Sequence, residues 1–197
     1  MDILNNIWDA ISKPNQDLLN IFSIFLMIFI EAPLTFSLIS KVFNITCSKT
    51  KKYIYILLTA FIALLALFLI KWPFNVIINY VSAFIIIYFV FNLKILKTLI
   101  ASLFPSIVFN LVGNLLFNPY LTILNITYDQ ATTIPIYRIP FACLMYLFVF
   151  LFTIVIKYKN LTVTILDDLD KKNKIMITLN FLFGFFNIII QLILTYN

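Results

Sequence analysis

Continuous apolar runs of about 20 residues constrain this chain most, because a helix needs roughly that length to cross about 30 Å of hydrocarbon. A chain in lipid must satisfy its backbone internally, as helices or a closed barrel do, and barrel strands would be about ten residues long with alternating polarity. The sequence therefore predicts an all-α, polytopic membrane protein, a bundle of about six transmembrane helices. The predicted spans are Leu18–Ser40, Tyr53–Ile70, Val76–Leu93, Leu99–Phe117, Ile139–Ile156 and Ile175–Leu194.

Composition supports a membrane location, since 63% of the residues are hydrophobic and 11% are charged, against roughly 25% charged in a soluble domain. Residues 1–17 are predicted to form an external interfacial segment, because isoleucines at four-residue intervals stand beside Trp8. A frayed tail explains the same stretch equally well. Residues 18–197 then form the transmembrane domain of a multi-pass protein of the cell membrane.

Positive charge predicts the orientation, because cytoplasmic loops are enriched in Lys and Arg. Of the 14 Lys and Arg residues, eleven follow the first, third and fifth spans, and only Lys13, Lys71 and Arg138 lie on the other side. The N-terminus is therefore predicted outside. Since six spans would leave Asn197 outside too, directly after an apolar run, we expect a seventh span to follow. The basic residues flank spans, so the net charge of +6 predicts no nucleic-acid partner.

Signatures of catalysis are missing from the sequence. The chain has no histidine, which excludes His-based acid–base pairs and a phosphoacceptor histidine. Its two glycines cannot form a Gly-rich phosphate loop. Cys47 and Cys143 are predicted on opposite halves of the membrane, without a Cys-x-x-Cys pair. We therefore predict no catalytic residues, no metal site and no cofactor.

Glu31 is the one ionisable residue placed well inside a predicted span. A charge there costs a few kcal/mol or more, so the carboxyl should be protonated, paired or in contact with water. At the helical rise per residue, Glu31 lies about 14 Å from the inner helix end and Asn110 and Asn187 about 17–18 Å. The three residues predict an intramembrane polar cluster, which either holds the helices together or serves as a switch. Pro33 and Pro105 should loosen their helices nearby.

A second set of candidate residues lies towards the predicted outer side. Asn110, Gly113, Asn114 and Asn118 share one face of the fourth span, which is predicted to point into the bundle. The linker Asn118–Arg138 is predicted to be the long external segment. The candidate ligand-binding residues are Trp72, Asn79, Asn114, Tyr128, Asp129 and Arg138. Helix packing and a solvated connector explain the same residues.

The segments Phe91–Phe104, Ile134–Leu144 and Leu166–Lys174, together with the general layout, suggest a family. The chain resembles the N-terminal transmembrane sensor region of AgrC-like, GHKL-type sensor histidine kinases of Gram-positive bacteria, over all 197 residues. The resemblance implies six or seven spans, a homodimer and an extracellular small ligand or peptide. It also implies a cytoplasmic kinase part, which this chain lacks. A response regulator would be a partner only through that kinase part.

The expected function is therefore signal transduction in a two-component, quorum-sensing-type system. The chain would be its signal-sensing module in the lipid bilayer, without enzymatic activity, and would transmit by helix repacking. A small six-helix substrate-binding subunit of a transporter fits the length as well. Two glycines count against it, because close helix interfaces in membranes use small residues. A partner of a separate soluble kinase and a six-helix toxin-immunity protein also stay open.

Overall fold

The computed structural model describes residues 2–70 and 74–159, with side chains from residue 5 onward, and all regular structure in this part of the chain is helical. A π-helical turn, Met27–Glu31, joins the second helix to the third. The helices are α1 (Asp2–Ser12), α2 (Gln16–Leu26), α3 (Ala32–Val42), α4 (Lys49–Leu69), α5 (Phe74–Phe91), α6 (Ile95–Leu124), α7 (Tyr128–Thr133) and α8 (Pro135–Tyr158).

Five helical segments of the described residues are long and apolar enough to cross a membrane. They match the first five predicted spans, so the all-α polytopic membrane fold is confirmed. The segments are Gln16–Val42, Lys49–Leu69, Phe74–Phe91, Ile95–Leu124 and Pro135–Tyr158. The predicted sixth span, Ile175–Leu194, lies outside the described residues, and the external N-terminus stays a prediction.

Asparagines mark several helix boundaries. The side chain of Asn15 accepts a hydrogen bond from the backbone N–H of Leu18 at 3.0 Å, which caps the start of α2. Asn44, Asn92 and Asn125 have φ values of 49°, 52° and 51° just after α3, α5 and α6. Asparagine tolerates this left-handed conformation better than other residues with a side chain, apart from aspartate. The chain therefore turns sharply directly after α3, α5 and α6.

The π-helical turn explains how the first span accommodates a proline. Pro33 has no N–H, and in a regular α-helix its ring would clash with the carbonyl of Phe29. In the structure the N–H of Ala32 bonds instead to the carbonyl of Met27, five residues back. The local loosening predicted at Pro33 therefore takes the form of a π turn. Helix α6, by contrast, continues without interruption through Pro105.

The packed core lies where the ends of α3, α4, α5, α6 and α8 meet, on the predicted cytoplasmic half. Leu38, Tyr55, Ile87 and Val149 are fully buried there. On the outer faces of the spans large apolar side chains are exposed, among them Phe89 at 76%. This distribution suits lipid as the solvent, because acyl chains are as apolar as leucine.

The predicted linker Asn118–Arg138 is mostly helical, so the bounds predicted for the fourth and fifth spans were wrong, whereas the external location of this region stays a prediction. Helix α6 continues to Leu124, α7 follows, and α8 begins at Pro135. A capping box starts α7, in which Thr127 and Gln130 each accept a hydrogen bond from the other's backbone N–H. Proline suits the first turn of a helix because it needs no donor there. Arg138 thus belongs to the first turn of α8.

Candidate functional site

A hydrogen bond inside the bundle holds the carboxyl group of Glu31. The hydroxyl of Tyr146 donates to Glu31 Oε2 at 2.6 Å, which joins α8 to the π-helical turn across 115 residues of sequence. The ring of Phe109 packs edge-on against the Tyr146 ring, with 5.7 Å between centroids, and positions it from α6. Three spans therefore contribute to the Tyr146–Glu31 pair and its immediate packing.

A cavity of about 230 Å³ lies beside Glu31, between α3, α4, α5 and α6. We call it the large cavity. A single water needs only about 10–15 Å³ measured in the same way, so a small organic molecule fits. Its polar lining comes from every adjoining span and consists of Glu31, Thr35, Tyr55, Thr59, Asn79, Tyr80, Ser82, Ser102 and Ser106.

Three hydroxyl groups on the wall of the large cavity have already donated their hydrogen. Thr59, Ser82 and Ser102 each donate their hydroxyl hydrogen to a carbonyl three or four residues earlier in their own helix. A hydroxyl has one hydrogen, so these groups have only lone pairs left for a molecule in the cavity. The Oδ1 atom of Asn79 is buried and accepts no hydrogen bond from the described residues.

A second cavity, of about 170 Å³, follows α2 and the first half of α8. We call it the small cavity. Arg138 lines it near the start of α8, and Glu31 and Tyr146 line it deeper in the bundle. The Nη1 atom of Arg138 donates to the carbonyl of Thr132 at 2.7 Å. Because Glu31 and Met27 line both cavities, the Tyr146–Glu31 pair lies between them.

The predicted ligand-binding residues do not converge on one site within the described part of the chain. Asn79 lines the large cavity and Arg138 the small one. Tyr128 and Asp129 lie exposed on α7, where the Tyr128 ring packs against Phe117. Asn114 is exposed on α6, and Trp72 lies outside the described residues.

The predicted polar cluster is placed differently from the expectation. Asn110 is exposed, and its amide donates to the carbonyl of Ser106 at 2.8 Å within α6. Among the described residues, the hydrogen-bond partner of the Glu31 carboxyl group is Tyr146 and not Asn110. Asn114 and Asn118 lie on the same side of α6 and are also exposed, since no described residue covers them. The third predicted member, Asn187, lies outside them.

Tyr146 could have been found from the sequence by the criterion used for the amides. It stands ten residues before Ile156, about 15 Å from the inner end of its predicted span and close to the depth of Glu31. Equal depth leaves the direction of a side chain around its helix undetermined. For that reason the depth criterion selected Asn110, which faces away, as readily as it would have selected Tyr146.

The fold and the site define the class of this protein: a polytopic all-α membrane protein whose described helices line the large and the small cavity. Comparison of the chain with protein-family models, with characterised proteins and with solved structures finds no match.

Proposed function

We propose that the chain is a membrane-embedded signal-sensing module, which binds an extracellular ligand and transmits the signal across the cell membrane by helix repacking. The observation that supports this most is the hydrogen bond from Tyr146 to Glu31, which lies between two cavities and ends on a π-helical turn. A ligand that reaches either side chain competes for the bond. π turns are rare and occur frequently at functional sites.

Transmission would start from the π-helical turn itself. If its hydrogen bonds change from five residues back to four, the following helix shifts by one residue, or about 100° of rotation. Helix α3 follows the turn directly and contributes the buried Leu38 and Ile39 to the core. Its rotation would therefore repack α4, α6 and α8. A ligand drives this change only if it binds the two arrangements unequally.

The small cavity offers a route for the ligand in the predicted orientation. It follows α2 and the first half of α8, which are on the predicted outer side, and Arg138 lines it near the start of α8. A guanidinium group can hold a carboxylate with two hydrogen bonds, which suits an extracellular peptide or another anionic signal. In the setting that the family resemblance implies, a homodimer of histidine kinases and a response regulator would act downstream.

Distance measurements across the π turn would test this proposal. Spin labels at Ile21→Cys and at the native Cys47, with Cys143→Ala, bracket the turn, and the chain is reconstituted in lipid nanodiscs. Conditioned medium from a dense culture of the source bacterium should change the distance distribution. The same labels in a Tyr146→Phe background should respond less, and in a Tyr158→Phe background normally, because Tyr158 is 83% exposed. An unchanged distribution in every medium would refute the proposal.

Substrate binding for a transporter is the second candidate, because the large cavity lies near mid-span and carries polar groups from several helices. Transporter sites characteristically lie near the middle of the bilayer. Vesicles that contain the chain and its partner subunits would be tested for uptake of labelled solutes from the same medium. Uptake that Glu31→Leu abolishes would favour transport over sensing.

A further inference from the structure

The large cavity has a more specific chemistry than its volume alone indicates. We propose that it binds a small organic cation that carries a primary ammonium group on a short apolar chain, with the carboxylate of Glu31 as the counter-charge. This inference rests on the proposed function in one respect, namely that the bundle binds a ligand, and it names the class of ligand for this cavity.

The hydrogen-bonding inventory of the wall favours a donor. An ammonium group has three N–H donors and no acceptor. The cavity lining offers it the carboxyl group of Glu31, the side-chain amide of Asn79 and the lone pairs of hydroxyls such as those of Thr59 and Ser82. The ammonium hydrogens would satisfy several of these acceptors at once.

The charge of the lining also favours a cation. Neither lysine nor arginine is among the described residues that line the large cavity, while Glu31 brings a carboxyl group. Tyr146 gives that carboxyl one hydrogen bond but no positive charge. A carboxyl group at this depth is protonated, paired or in contact with water. A cationic ligand would pair with its charged form, whereas an anionic ligand would meet a like charge.

The apolar and aromatic parts of the wall argue for an organic cation. Tyr55, Tyr80 and Phe109 line the cavity with aromatic rings, whose faces attract cations. Small apolar residues, including Ala60 and Ala63, leave room for an alkyl chain. The volume of about 230 Å³ far exceeds the needs of one metal ion. An alkylamine of about four carbons combines the required charge, donors and apolar chain.

The binding test uses the full chain in lipid nanodiscs and radiolabelled n-butylamine as the probe. We expect saturable binding of one amine per chain. Unlabelled n-butylamine should compete at least about tenfold better than butyrate or 1-butanol, which share the alkyl chain but lack the ammonium group. Absence of saturable binding, or equal competition by butyrate, would overturn the inference.

Variants locate the site. Glu31→Gln keeps an acceptor for Tyr146 but removes the charge, and Asn79→Leu removes a polar group from the cavity wall. Each should weaken amine binding about tenfold or more. Asn75→Leu is the matched control, because Asn75 lies on the same helix and has a similarly buried Oδ1 without lining the cavity. Monodispersity and thermal unfolding of each variant establish that it folds. Equal weakening by Asn75→Leu, or no weakening by the other two, would overturn the inference.

The outcomes separate this inference from the proposed function. Amine binding, together with spin-label distances that stay unchanged in conditioned medium, would refute sensing through the π turn and leave the ligand class standing. A distance response to conditioned medium, without any amine binding, would support sensing and refute the ligand class.

Discussion

Tyr146 and Glu31 are 115 residues apart in sequence and joined by a hydrogen bond of 2.6 Å. The bond connects the middle of α8 to the last residue of a π-helical turn, directly before Ala32 and Pro33. The hydrogen bond thereby joins an irregular turn of one span to a side chain of another. The pair lies between both cavities, so occupancy of either cavity bears on the same bond.

Removing the phenol hydroxyl tests the strength of that bond. Tyr146→Phe keeps the ring against Phe109 but leaves Glu31 without this donor. We expect a loss of about 0.6–2 kcal/mol in the free energy of unfolding, the range for interhelical hydrogen bonds in membranes. Unfolding in mixed micelles with increasing SDS measures it. Tyr158→Phe, at an exposed tyrosine of the same helix, should leave stability unchanged, and an equal loss in both variants would contradict the prediction.

Two substitutions of Glu31 should differ in their effect on stability. Glu31→Gln retains an oxygen that accepts from Tyr146, so we expect nearly normal unfolding. Glu31→Leu has no acceptor and leaves the Tyr146 hydroxyl without a partner, which should cost roughly 1–3 kcal/mol. A double-mutant cycle with Tyr146→Phe checks the assignment. In the Glu31→Leu background the second substitution should cost little, and fully additive losses would show that the two side chains act independently.

The spans could be predicted from the sequence because apolar length and bilayer thickness decide them. The region after Asn118 could not, because Asn118-Pro119 has the sequence of a helix end, yet Pro119 lies inside α6. Proline is tolerated in membrane helices where neighbouring groups satisfy the freed carbonyl. For the site, the depth of Glu31 was accessible from residue counting. Its partner was not, since counting gives no angle around the helix axis.

The π turn should depend on Pro33. Pro33→Ala restores an N–H and removes the ring clash with Phe29, so a regular α-helical turn becomes available. We expect the distance between labels at Ile21→Cys and Cys47 to change without any ligand. Pro140→Ala, inside the unbroken helix α8, serves as the control and should leave that distance unchanged. If Pro33→Ala has the same distance distribution as the parent chain, proline is not the cause of the turn.

Arg138 and Asp129 should contribute unequally to the response to an external ligand. Arg138 lines the small cavity, whereas Asp129 is exposed on α7 and lines neither of the two cavities. Arg138→Ala should therefore raise the dose of conditioned medium that gives a half-maximal change in distance about tenfold or more, because a charge-assisted contact is lost. Asp129→Ala should leave the response intact. If Asp129→Ala weakens the response and Arg138→Ala does not, the ligand binds at α7 and not in the small cavity.

The N-terminus should lie outside the cell, because eleven of the 14 Lys and Arg residues follow the first, third and fifth predicted spans. The structure is compatible with this charge pattern: Lys41, at the end of α3, and Lys157, at the end of α8, lie close enough for their charges to interact. The end of the first span and the end of α8 are thus at one end of the bundle. Alternating spans then put the N-terminus at the opposite end.

Cysteine labelling of intact cells with a membrane-impermeant maleimide measures this orientation. Asn5→Cys and Ser48→Cys are made separately in a Cys47→Ser, Cys143→Ala background, since both native cysteines are free. Asn5→Cys should be labelled on intact cells, and Ser48→Cys only after the membrane is permeabilised. Asn5 is exposed on α1, so no described residue shields it from the reagent. If only Ser48→Cys is labelled on intact cells, the orientation of the bundle is the reverse of the predicted one. The small cavity would then lie on the cytoplasmic side and would not serve as an entrance for an external signal.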